Sequence, residues 1–144
     1  MDALNLIIEQ ICNYEDRNNT FEVYIRVINC IDECIDLLDI NLYTEEEQDI
    51  RRQAQKIWKY SYNSSLLHNL YVTIGKKQVK IESSSKRRYL LESLSFYLCS
   101  FEEWPDDERA NAMEYFVFNL MKTGVAEEKI YFVICKHFRE IIVI

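Results

Sequence analysis

Cys30 and Cys34 are the first residues whose type and spacing could do chemistry. Four residues apart on a helix, both thiols share one face, where a metal ion can be held. A zinc site needs a second pair of ligands at short spacing, and none is visible. Both cysteines lie in an apolar stripe, so they are read as small core residues. Cys135 and His137 are the nearest Cys–His pair in sequence. Residues two apart on a helix do not face each other, which argues against a nucleophile–base dyad. His68 stands alone between Leu67 and Asn69. No catalytic, metal-binding or cofactor-binding residue is assigned, and an enzyme built on a helical-bundle pocket ranks behind binding functions.

The carboxylates carry a stronger signal. Asp32 and Asp36 form an acid–acid pair at i, i+4. General acid–base work needs two carboxylates in unlike environments inside a cleft, and nothing marks one. The pair belongs to a larger cluster: Asp32, Glu33, Asp36, Asp39, Glu45, Glu46, Glu47 and Asp49, with no basic residue between Arg26 and Arg51. Acids at a helix start suit the dipole, whereas Asp36 and Asp39, late in a helix, oppose it. That mismatch points to a basic partner surface. Tyr43, Tyr60 and Tyr62 flank the cluster and are expected as exposed anchors, because tyrosine combines contact area with a polar tip. The candidate partner-binding site is therefore Asp32, Glu33, Asp36, Asp39, Tyr43, Glu45, Glu46, Asp49, Tyr60 and Tyr62.

Charge is unevenly spread. The chain has a net charge of −7. Between Lys76 and Arg88 six basic residues face one acid, Glu82, for a net of +5, which leaves −12 on the rest. An acidic body disfavours nucleic acid, and Tyr71 and Tyr89 are the only aromatics near the basic segment for base stacking. Lysines there also fit the protection of a sheet edge, or pairing with the chain's own acids.

The elements that must position these groups are mostly helices. Two glycines and one proline in 144 residues argue for few, simple connections. Helix one is expected from Asp2 to about Tyr14, with Leu4, Ile7, Ile8 and Ile11 on one face. Thr20 should cap helix two, which runs to about Asp39 with an apolar face wide enough for a central position. Thr44 to Glu47 is a capping box that opens helix three, fading near Asn63. Helix four is expected over about Lys86–Phe101. Pro105 should start helix five, and Gly124 should end it with Val125 against Leu120. Helix six should cover about Ala126–Ile142. Between helices three and four, Leu66, Leu67, Leu70 and Tyr71 keep helical spacing. The alternation of Val72, Ile74, Val79 and Ile81 around Gly75 favours a small β-hairpin at about 70–82.

The expected fold is thus a mainly α, compact bundle of about six helices with a small hairpin, in one domain spanning 1–144. Five cysteines without paired spacing fit reduced thiols in a cytoplasmic protein. No secretory signal is seen, and no apolar run approaches the roughly 20 residues of a membrane span. The apolar tail Ile141–Ile144 must dock on the body or a partner, which leaves homodimerisation open. The expected function is a small acidic protein-binding module that neutralises or regulates a partner, of the immunity-protein or antitoxin kind, covering a basic nuclease-type toxin surface. An all-α regulatory adaptor, viral or host, shares the same features. Asp36→Lys or Glu46→Lys is expected to slow association with a basic partner.

Overall fold

A computed structural model describes residues 2–142, and their regular structure is all helical. The expected N-caps form. Asp2 accepts from the Asn5 N–H at 2.8 Å and opens α1 (Ala3–Arg17). Thr20 accepts from the Val23 N–H and opens α2 (Phe21–Ile35). In the capping box, Thr44 Oγ1 accepts from the Glu47 N–H at 3.2 Å, and Glu47 Oε1 accepts from the Thr44 N–H at 3.1 Å. It opens α3 (Glu45–Tyr60). The remaining helices are α4 (Ser64–Gln78), α5 (Lys86–Leu98), α6 (Ala112–Met121) and α7 (Glu127–His137). Short 3₁₀ turns lie at Ile40–Leu42, Phe101–Glu103 and Arg109–Asn111.

The hairpin expected at 70–82 is not formed; most of that segment is α4, which raises the helix count to seven among the described residues. Asn63 caps α4 by accepting from the Leu66 N–H at 3.0 Å. Leu67 and Ile74 are fully buried, with Leu70 and Tyr71 packed beside them on the same face. A strand would have put Val72 on the same side as Ile74, yet Val72 is exposed. Helical burial of 67, 70, 71 and 74 outweighs a β-propensity scale that spans only about 1 kcal/mol. Gly75 sits inside the helix rather than ending it, and its φ is not positive.

Three boundaries move for identifiable reasons. α2 stops at Ile35 rather than Asp39, and Arg51 Nη2 donates to the Asp32 carbonyl at 2.7 Å, where the Asp36 N–H makes only a long bond of 3.4 Å at the helix end. Pro105 opens a turn instead of a helix. The buried Arg109 draws that segment around itself, donating to Phe101 O at 3.0 Å, to Asn19 Oδ1 at 2.9 Å and to Asp106 Oδ1 at 3.1 Å. α7 ends at His137, with Ile141 and Ile142 half-buried against the core; Val143 and Ile144 of the apolar tail lie outside the described residues. Gly124 follows α6 with φ of 95°, and its N–H donates to Met121 O at 3.1 Å.

The centre is shared by two helices. α5 packs on α2, α3, α4 and α6, while α2 also meets α6 and α7. α1 closes the far side against α6, α7 and the 109–111 turn. Cys30 and Cys34 are buried in this core, and all five cysteines are free.

Candidate functional site

The acidic ridge runs from the end of α2 through the Ile40–Leu42 turn to the start of α3, as the sequence places it. Much of its charge is already partnered. Arg51 Nε donates to Asp32 at 2.9 Å, and its Nη2 donates to Asp36 at 2.7 Å. Gln55 adds bonds of 3.2 and 3.1 Å to Asp32. One guanidinium thus offsets Asp36, one of the two acids expected to oppose the α2 dipole, together with Asp32. Asp39 has a local purpose too: it accepts from the Asn41 N–H at 2.9 Å and caps the 3₁₀ turn.

Glu33 points away from the ridge. It receives Lys136 Nζ at 3.0 Å and lies 3.1 Å from His137 Nε2, tying α2 to α7. The hydrogen bond from Lys136 is the main reason its carboxyl is held below the ordinary range, with partial burial pulling the other way. The tyrosines separate as well. Tyr43 is 7% exposed, with its hydroxyl donating to Leu90 O at 2.8 Å, so it anchors the core and not a partner. Burial pushes its hydroxyl well up from the usual phenol value. Tyr62 is half-buried beside Phe21 and Trp58, its hydroxyl donating to Glu102. Burial and that carboxylate push its hydroxyl up to about 12. Of these three tyrosines only Tyr60 is open, at 75% exposed.

Glu47 is the residue sequence reasoning passed over. It is fully buried, yet Arg87 donates to its Oε2 and Lys77 Nζ lies 3.1 Å from the same oxygen. Lys77 reaches Glu46 as well, at 2.6 Å. Two members of the basic segment are therefore spent on the start of α3, and a third, Arg88, pairs with Glu92 at 3.4 Å. Burial pushes the Glu47 carboxyl up, but the hydrogen bonds from Arg87 and Lys77 prevail and hold it below its ordinary value. The available signal was the capping box, which turns Glu47 back toward its own helix start.

What faces solvent is narrower than the cluster in sequence. Asp36, Asp39, Glu45, Glu46 and Asp49 are exposed, with Arg52 among them at 3.7 Å from Asp49. The Glu45 carboxylate makes no hydrogen bond or ion pair within the described residues. Among these acids the 3₁₀ turn presents Ile40, 55% exposed, and Leu42. Gln48 holds that turn on α3 by donating to Ile40 O at 3.1 Å and to Tyr43 O at 2.9 Å. Beside it lies a cleft of about 300 Å³ lined by Leu38, Ile40, Gln48, Arg52 and Gln55. The arrangement is a small apolar centre with a charged rim, on a rigid helical scaffold.

No group of three or more His, Cys, Asp and Glu side chains is arranged to hold a metal ion among the described residues. No described helix is long and apolar enough to cross a membrane. Fold and site together define an all-α domain with an acidic, apolar-centred face. Comparison with family models, with curated proteins and with solved structures found no match to this chain.

Proposed function

We propose that this chain is a protein-binding module that neutralises or regulates a partner with a basic surface, of the immunity-protein or antitoxin kind. The observation that carries the reading is the exposed pair Ile40 and Leu42 set among the exposed Asp36, Asp39, Glu45, Glu46 and Asp49. Specific interfaces combine an apolar centre with a polar rim, and like-signed rim charges steer an oppositely charged partner. The partner brings lysines or arginines to the rim and an apolar group to Ile40. Glu45, whose side chain has no partner among the described residues, and Asp49, met by the neutral Gln53 at 2.7 Å and by Arg52 only at 3.7 Å, are the rim acids with the least counter-charge of their own. Asp32, Glu33 and Tyr43 hold the scaffold in this reading and leave the contact set.

The test is a paired capture from the source organism, using the wild-type chain and an Ile40→Lys/Glu45→Lys double variant of equal stability. The wild type is expected to retain a basic protein, released by salt, that the variant does not hold. Identical sets of proteins on both columns would contradict the reading.

A further inference from the structure

A second cleft, of about 410 Å³, opens between α4, α5 and the segment around Pro105, on elements distinct from the acidic ridge. Its volume falls in the roughly 300–1,000 Å³ range of small-ligand sites. Three aromatic rings from three elements line it: Tyr71 of α4, Phe96 of α5 and Trp104. All three are half-buried, so each keeps part of its ring open. Phe96 and Trp104 lie 6.3 Å apart between centroids with planes 23° from parallel. Trp104 is fixed from behind. Its indole N–H donates to the Tyr24 hydroxyl at 2.8 Å, and its ring stacks on Tyr115 at 6.3 Å. Tyr71 is braced by His68, stacked at 6.4 Å.

The remaining lining is negative. Glu92, Glu103 and Glu108 border the cleft, and no lysine or arginine lines it. Glu92 is met by Arg88, and Glu103 lies 3.0 Å from His68 Nδ1. The Glu108 carboxylate makes no hydrogen bond or ion pair within the described residues. Arg109, the nearest cation in sequence, is turned onto Phe101, 3.6 Å from its ring centroid, and bound to Asp106.

We propose that this cleft binds a methylated ammonium group. Aromatic faces attract a cation through the ring quadrupole, and carboxylates at the rim add a net attraction. A bare ammonium is strongly hydrated and loses that hydration on aromatic walls. Methyl groups spread the charge over an apolar shell that matches rings and carboxylates at once. The cleft does this without using any residue of the acidic ridge.

The test is a titration of the full chain with choline, followed by the indole N–H signals of Trp58 and Trp104 in two-dimensional NMR. The control is the uncharged isostere 3,3-dimethylbutan-1-ol. A saturable shift of the Trp104 signal is expected, with choline at least about tenfold tighter than the isostere. Glu108→Gln, at an exposed position, is expected to weaken choline at least about threefold, and Glu45→Lys to leave it unchanged. Trp104→Phe assigns the signal, and Glu108→Gln keeps the test valid if that variant misfolds. A peptide bearing trimethyl-lysine, beside its unmethylated form, separates a protein-borne head group from a free one: whichever of choline and the methylated peptide binds tighter names the source. Absence of saturation with both probes, equal binding of the isostere, or indifference to Glu108→Gln overturns the proposal.

Discussion

Glu15 should make this protein lose stability steadily as pH rises from about 4.5 to about 9. It is 3% exposed on α1, and its Oε1 has no hydrogen-bond partner among the described residues. Burial without a counter-charge pushes its carboxyl from 4.5 up to about 9. The ionisable neighbours do not help: Cys12 and Tyr24 are themselves held neutral, the thiol up to about 12 by burial first and by Glu15 next. The folded carboxyl therefore stays protonated where the unfolded one has ionised. A raised folded value means that the contribution is whole below pH 4.5 and is lost as pH rises to the folded value near 9. The loss is about 1.4 kcal/mol per pH unit, so from pH 5 to pH 8 it amounts to roughly 4 kcal/mol. Glu15→Gln keeps the shape and removes the titration. Urea unfolding of both proteins at pH 5 and pH 8 isolates the effect, because other titrating groups cancel in the difference. The variant should gain roughly 4 kcal/mol on the wild type between the two pH values. Stability profiles that run parallel within about 1 kcal/mol would refute the assignment of Glu15 as a buried neutral acid.

Glu47 should behave in the opposite sense. Its carboxyl is held low, so its contribution is present above about pH 4.5 and is lost as pH falls through the folded value. Glu47→Gln should flatten the acid limb of a thermal-melt series taken from pH 6 to pH 3. Glu47→Ala at pH 7 should cost about 3 kcal/mol in urea, because the cap and the two cations lose their shared partner. The two glycines should separate cleanly. A Cβ on Gly75 meets nothing within 4 Å inside α4, so Gly75→Ala should stabilise by about 1 kcal/mol in urea unfolding. Gly124→Ala should destabilise by about 1 kcal/mol or more in the same assay, because φ of 95° strains any side chain there.

The helical frame was legible wherever a cap and an apolar stripe agreed. Asp2, Thr20 and Thr44 cap as their side chains dictate, and Gly124 takes the left-handed position after α6. The segment at 64–82 was ambiguous because its β-branched residues obey two periodicities at once. Burial of Leu67 and Ile74 on α5 and its neighbours decides between them, and that is a tertiary effect. The Pro105 segment was misread for a similar reason: Arg109 organises it through partners as distant in sequence as Asn19. Most of the acidic cluster does lie at the junction of α2 and α3, with Glu33 turned to α7, but its free charge was overestimated. Arg51, Lys77, Arg87 and Lys136 reach into the cluster from other elements, and sequence spacing does not show such pairings. Tyr43 was mistaken for a surface anchor because its hydroxyl finds the Leu90 carbonyl in the core, which lets the whole ring go inside.

On the proposed function, the exposed rim acids steer a basic protein onto Ile40 and Leu42. The association rate of the captured partner, measured by stopped-flow at several ionic strengths, tests it most directly. For the wild type the rate should fall steeply as salt rises. Glu45→Lys with Asp49→Lys should slow association about tenfold at low salt, with little change in the dissociation rate. An association rate indifferent both to salt and to these charge reversals would contradict the account.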